Sequence, residues 1–227
     1  MSTSVSANLA QVRKRIELAC LAASRPANAV HLLAVSKTMP AQAVRDAYAA
    51  GQVAFGENYI QEGVDKIASL ADLPLEWHCI GPIQSNKSKL VAENFAWVHS
   101  IDRLKIAERL SAQRPVNLPP LQVCLQVNVD GGSNKSGVTP AELLALAKAV
   151  AVLPHLRLRG IMTIPEPAEN EAAARAVHHQ AKDLFNSLQA AGLKVDTLSM
   201  GMTGDLEAAI AEGSTCVRVG TAIFGHR

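Results

Sequence analysis

The sequence predicts an α/β protein built as one closed (β/α)8 barrel, with an extra helix ahead of the first strand. Three observations carry this. Eight short apolar runs recur along the 227 residues. Each run is continuous rather than alternating, as parallel strands covered on both faces are. The stretches between them are rich in Ala, Leu, Glu, Gln and Lys, the composition of covering helices. A doubly wound open sheet uses the same units, but eight of them close more naturally into a barrel. No linker composition divides the chain, so residues 1–227 read as a single domain.

Residues 5–24 form the extra helix. The strands follow as VHLLAVSK (30–37), VAFGEN (53–58), EWHCIG (76–81), WVHSID (97–102), LQVCLQVN (121–128), LRLRGIMTI (156–164), TLSMGM (197–202) and TCVRVGTAIFG (215–225). Pro40, Pro140 and Pro167 stand near helix starts, where a missing N–H costs least. The long stretch 168–192 closes on Gly192, a C-cap residue. The polar loop 130–138 reads as a solvated turn rather than a mobile lid.

Composition excludes several roles. With 48% apolar and 19% charged residues, the chain has the makings of a large core. Lys and Arg number 22 against 20 Asp and Glu, a net charge of +2, which argues against general nucleic-acid binding. Aromatics at 4% are few for base stacking or a large protein-binding hot spot. The opening MSTSVSANLAQVRKR lacks the apolar core of a signal peptide, and no apolar window reaches membrane-span length. Cys20, Cys79, Cys124 and Cys216 lie far apart, as buried thiols in a reducing compartment do. A soluble cytoplasmic protein is expected. His178 and His179 are adjacent on a helix, and His78 and Cys79 alternate across a strand, so no metal site is expected.

Barrels of this type keep their ligand mouth at the C-terminal ends of the strands. Those ends carry Lys37, Glu57-Asn58, Gly81-Pro82, Asp102-Arg103, Asn128-Val129-Asp130, Thr163, Thr203-Gly204 and Gly220-Thr221. Lys37 closes the first strand. A lysine half withdrawn from water becomes nucleophilic and forms Schiff bases, while one reaching solvent does nothing special. Arg218 lies inside the last strand, where it needs either a carboxylate or a ligand. Gly201, Thr203, Gly204, Gly220 and Thr221, with Ser199 beside them, supply the small residues and hydroxyls of a phosphate site after strands 7 and 8. Thr203 also suits the N-cap of the helix beginning DLEAAIAEG.

Lys37 within LLAVSKTMP, then FGENYIQEGVDK, WHCIGPIQSNKSK, VHSIDR, NVDGGSNKSG, RGIMTIPEP and LSMGMTGD…VRVGTAIFG together resemble the pyridoxal phosphate homeostasis proteins. That family, also called the proline synthase co-transcribed family, is itself similar to the N-terminal barrel of alanine racemase. The resemblance runs from about residue 6 to residue 226 in unbroken order. It implies pyridoxal 5′-phosphate as cofactor, held as a Schiff base on Lys37. It implies Arg218 on the pyridine nitrogen, and Gly220, Thr221, Ser199 and the Met202-Thr203 turn at the phosphate. Asn58, His78 and Met162 are implied to lie near the cofactor. Thr203 stands where the family often has Ser, keeping the hydroxyl, and Cys79 stands where it has an aromatic.

A guanidinium keeps its proton, so Arg218 would leave the ring neutral and a weaker electron sink. Racemisation needs an acid/base group on each face of the substrate. Lys37 serves as one, but Tyr48 and Tyr59 are poor candidates for the other, and the racemase's second domain is expected to be missing after Arg227. The resemblance therefore implies a non-catalytic pyridoxal phosphate carrier in vitamin B6 homeostasis, serving pyridoxal phosphate-dependent apoenzymes. A weak amino-acid racemase is the alternative, and a cofactor-free Schiff-base aldolase on Lys37 is a third possibility. No wide apolar helix face is left over, so a monomer is expected.

Overall fold

The structure, a computed structural model, describes residues 4–132 and 136–225. Eight parallel strands close on themselves in sequence order, with the last paired to the first. They are β1 (His31–Val35), β2 (Ala54–Glu57), β3 (Glu76–Cys79), β4 (Trp97–Ile101), β5 (Leu121–Val127), β6 (Leu156–Thr163), β7 (Thr197–Ser199) and β8 (Cys216–Val219). Every expected run contains its strand. The helices are α1 (Val5–Ala22), α2 (Ala41–Ala49), α3 (Ile60–Ser69), α4 (Ser88–Asn94), α5 (Leu104–Gln113), α6 (Pro140–Ala151), α7 (Glu171–Ala190), α8 (Leu206–Ala211) and α9 (Thr221–Phe224).

Local chemistry sets the ends. Ser4 caps α1 by accepting from the Ala7 N–H. Thr139 and Glu142 form a capping box around Pro140 at the start of α6. Gly192 follows α7 in the left-handed region that favours glycine. Two expectations shift. Asn170, not Pro167, starts α7. The run 215–225 is half strand and half helix: β8 stops at Val219 and α9 begins at Thr221. A buried apolar run does not by itself distinguish the two. Helix α1 packs on α2, α8 and α9, and Arg15 pairs with Glu207 at 2.8 Å. In loop 130–138, Asn128 holds Gly131 and Gly132, while residues 133–135 lie outside the described part.

One large apolar cluster fills the space between sheet and helices. Inside the barrel the filling is mixed. A small cluster of Leu33, Ala54, Ile80 and Cys216 shares the interior with buried His78, His99, Ser199 and Arg218. Register partners share a face, and Leu33 opposite Arg218 places both inside. All four cysteines are buried free thiols. Burial pushes the Cys79 thiol up to about 12, so it is inert at neutral pH. Among the described residues, no helix is long and apolar enough to cross a membrane.

Candidate functional site

Lys37 follows β1 and is half-buried, with no hydrogen bond or ion pair among the described residues. Its backbone is fixed from both sides. The Ser36 N–H donates to the Gly56 carbonyl at 3.0 Å, and the Ser36 carbonyl accepts from Lys66 Nζ at 2.7 Å. Thr38 sits at a φ of 61°, an outlier for a β-branched residue, and its N–H donates to Glu62. Such strain costs about 1–3 kcal/mol and persists only where the surroundings enforce it.

The enforcing group is a buried ion cluster. Lys66 Nζ donates to Glu57 Oε1 at 2.6 Å and to Glu62 Oε1 at 3.1 Å, and the Ser36 hydroxyl donates to Glu57 at 2.6 Å. Burial pushes the Glu57 carboxyl up despite these bonds. Ser36, Glu62 and Lys66 were not singled out from the sequence, and Glu57 stood there only as a strand-end residue. Their signal was the helical spacing of Glu62 and Lys66, which ordinarily marks a solvated face.

Beside Lys37, a cavity of about 430 Å³ is lined by Val35, Met39, Gly220, Thr221 and Phe224. The Lys37 amine and the phosphate residues expected after strand 8 thus share one space. Gly220 permits this: a Cβ there would stand 3.2 Å from the Val35 carbonyl oxygen. Asn58 follows β2 at a closer approach, since a Cβ on Gly81 would meet the Asn58 carbonyl oxygen at 2.0 Å. Asn58 Oδ1 and Thr163 Oγ1 are buried without a hydrogen-bond partner.

Arg218 is 4% exposed and pairs with no carboxylate among the described residues. Its Nη1 donates to Ser199 Oγ at 2.9 Å and its Nη2 to the Thr163 carbonyl at 2.8 Å. These bonds occupy two of its five N–H groups. Of the two roles open for Arg218, the carboxylate partner is absent.

The other expected residues lie deeper in the barrel or are already bonded to neighbours. His78 is not at the mouth: it faces a cavity lined by strand starts, and both its ring nitrogens are engaged, by His99 and by Glu76. Its height is set by the register opposite Gly56, below Asn58. Ser199 is fully buried and bonded to Arg218 and His99. The Met202 N–H is taken by Asp205 Oδ1 at 2.6 Å, and Met202 lines a neighbouring cavity with Gly204. Asp205, not Thr203, is the N-cap residue of α8. Met162 is fully buried inside the barrel, in register with Ser199.

Burial holds the His99 imidazole well below its ordinary value and lowers His78 in the same way. Both are therefore neutral in the folded protein where the unfolded chain, with imidazoles near about 6.5, already binds protons. Stability is expected to be level above about pH 7 and to fall below about pH 6.5, by up to about 1.4 kcal/mol per pH unit for each imidazole. Urea midpoints across that range check the slope, which His99→Leu should reduce. A flat profile between neutral and mildly acidic pH would contradict the neutral assignment.

Comparison with known proteins fits this geometry. Residues 7–227 match the family described as alanine racemase, N-terminal domain. The chain is 60% identical to the pyridoxal phosphate homeostasis protein of Pseudomonas aeruginosa, covering 100% of this chain and 97% of that one. It is 54% identical to the protein of the same name in Escherichia coli K12, covering 98% and 97%. The structure of PipY from Synechococcus elongatus, solved with pyridoxal phosphate bound, superposes with a TM-score of 0.86 at 39% identity, over 98% of this chain and 100% of that one. Alanine racemase from Corynebacterium glutamicum, at 16% identity and a TM-score of 0.71, shares the fold over 98% of this chain and 60% of its own. The chain belongs to the alanine racemase N-terminal domain family and, within it, to the pyridoxal phosphate homeostasis proteins.

Proposed function

We propose that this protein binds pyridoxal 5′-phosphate reversibly through Lys37 and acts in vitamin B6 homeostasis as a carrier, not as an enzyme. The observation that carries the reading is Arg218, a buried cation that among the described residues has no carboxylate, set inside a barrel whose mouth holds a Lys37 amine with no partner among those residues. A buried charge without a partner is costly unless a ligand completes it. The relatives named for this cofactor, and the PipY complex, support the same reading.

The residues fit the group. Lys37 supplies the amine that captures the aldehyde, with loss of water. Thr221 and Thr203 offer hydroxyls to the phosphate, and Gly220 lets the backbone approach it. Asn58 Oδ1 and Thr163 Oγ1 are orphaned polar atoms that a bound polar ligand completes. Arg218 donates to the ring nitrogen and keeps its own proton. Ser199 and Met162 act beneath it as support. Bound pyridoxal phosphate supplies an electrophilic aldehyde on an electron-withdrawing ring.

Carriage is favoured over racemisation because, among the described residues, neither tyrosine stands beside Lys37 as a second acid/base group. Tyr59 is 56% exposed ahead of α3, Tyr48 lies in α2, and neither lines the Lys37 cavity. The barrel works as one domain, a cytoplasmic monomer that yields its cofactor to apoenzymes. Adding pyridoxal phosphate to the purified protein should give a visible absorbance band that borohydride bleaches, with the fixed mass on the Lys37 peptide. Absence of both band and adduct rejects the reading and restores the cofactor-free aldolase.

A further inference from the structure

A single file of hydrogen bonds crosses the barrel interior from Arg218 to the opposite end. Arg218 Nη1 lies 2.9 Å from Ser199 Oγ, and Ser199 Oγ lies 2.9 Å from His99 Nδ1. His99 Nε2 lies 2.9 Å from His78 Nδ1, and His78 Nε2 lies 2.9 Å from Glu76 Oε1. Ser199, His99, His78 and Arg218 are buried, whereas the Glu76 side chain is 42% exposed. Glu76 opens on a cavity of about 390 Å³ at the strand starts, the end away from Lys37.

The two ends fix the direction of every link. Guanidinium only donates, and an ionised carboxylate only accepts. With Glu76 ionised, His78 must carry its proton on Nε2 and accept on Nδ1. His99 must then donate from Nε2 and accept on Nδ1, which forces the Ser199 hydroxyl to donate to His99 and accept from Arg218. Every donor meets an acceptor, and both imidazoles are neutral. One other arrangement matches every link from Glu76 to Ser199, and it requires a protonated Glu76. There Glu76 donates to His78 Nε2, His78 Nδ1 donates to His99 Nε2, and His99 Nδ1 donates to Ser199. Passing from the first to the second adds one proton: the half-exposed Glu76 takes it from solvent, each imidazole exchanges Nε2–H for Nδ1–H, and the Ser199 hydroxyl keeps its proton and turns away from His99.

We propose that His99, His78 and Glu76 are positioning residues for Arg218, forming a chain whose direction follows the charge on Glu76, so that a proton at the barrel base is felt at the cofactor mouth. The proposal rests on the cofactor reading above. In the first direction Ser199 accepts one bond, from Arg218. In the second it accepts from His99 as well, which changes the anchor on the guanidinium that faces the ring nitrogen. The other groups facing Glu76 are His31 from β1, Trp97 from β4, Arg159 from β6, Asp196 ahead of β7 and Cys216 from β8. Arg159 and Asp196 pair with each other at 2.8 Å, so their charges are matched locally. The His78 hydrogen bond holds the Glu76 carboxyl below the usual range, in keeping with the ionised end at neutral pH.

Two measurements test this on the full chain. Nitrogen-15 spectra of the cofactor-free protein at neutral pH should show His78 and His99 as neutral Nε2–H tautomers. Acid should move both protons to Nδ1 in the wild type. In Glu76→Gln this response should be lost, because an amide donates or accepts without gaining charge. A protonated or Nδ1–H imidazole at neutral pH would overturn the chain. With pyridoxal phosphate added, the visible band of the wild type should hold steady near neutral pH and shift only in acid, below the ordinary carboxylate value of about 4.3. The shift should vanish in Glu76→Gln and His99→Leu, and His99→Leu should bind the cofactor about tenfold more weakly. An identical pH response in all three proteins would overturn the coupling while leaving the cofactor reading intact. No uptake by the wild type would defeat the cofactor reading instead, and the imidazole tautomers would still decide the chain.

Discussion

Lys37→Ala is expected to eliminate the visible band and the borohydride-fixed adduct, and to weaken pyridoxal phosphate binding by at least about a hundredfold, or about 2.8 kcal/mol. The size follows from what is lost and what stands near. The amine is the covalent anchor, and among the described residues no neighbouring amine is free to replace it. Lys66, on the far side of the Ser36 carbonyl, is 6% exposed and bound to three acceptors. Arg218, Thr221 and Gly220 remain, so weak non-covalent binding should persist. Stability should change by less than about 0.5 kcal/mol, because the Lys37 side chain makes no hydrogen bond or ion pair among the described residues. A spectral titration with a parallel urea melt separates these effects. A fixed adduct on another lysine of the alanine variant would show that the amine has been misassigned.

Lys37, Gly220 and Thr221 were legible because a strand-end rule needs only the order of elements, and the apolar runs supply that order. Strands buried on both faces leave an uninterrupted signature, and all eight runs contain their strands. Height within the barrel was not legible. His78 and Asn58 both sit on interior-facing positions of successive strands, yet one lies low and the other at the mouth. The difference comes from stagger between strands, which no single run carries. The partners of Ser199 and Met202 were illegible for a related reason. A hydroxyl or an N–H near a strand end looks available until its partner, here Arg218 or Asp205, is placed in space.

The ion cluster was illegible too, because Glu57 and Lys66 become partners only once α3 folds back on β2. From the sequence, Lys66 is one more helical lysine. In the structure it is the cation on which the start of the Lys37 loop is hung, and it joins stability to the site. That link gives the second large effect.

Lys66→Met is expected to destabilise the protein by about 3–5 kcal/mol, the usual result of stripping one partner from a buried pair. The Glu57 side chain is wholly buried, and it would keep only the Ser36 hydroxyl. It must then carry an unmatched charge or take up a proton. Protonation is the cheaper course, so its carboxyl should rise further above the unfolded value of about 4.3. The folded variant then binds more protons than its unfolded chain, so the deficit against wild type should shrink as pH falls. Glu57→Gln added to Lys66→Met removes the charge and still lets the amide oxygen accept from Ser36, so most of the lost stability should return. Capture of pyridoxal phosphate should not return with it. In both variants the Ser36 carbonyl has lost Lys66, and Glu62 holds the strained Thr38 without the cation beside it. Lys37 should then sit less well defined, with affinity about tenfold below wild type even in the refolded double variant. Urea midpoints and spectral titrations on the same samples decide the matter. If affinity recovers together with stability, Lys66 acts on the fold alone. If stability recovers and affinity does not, the buried cation is what places the neighbouring amine.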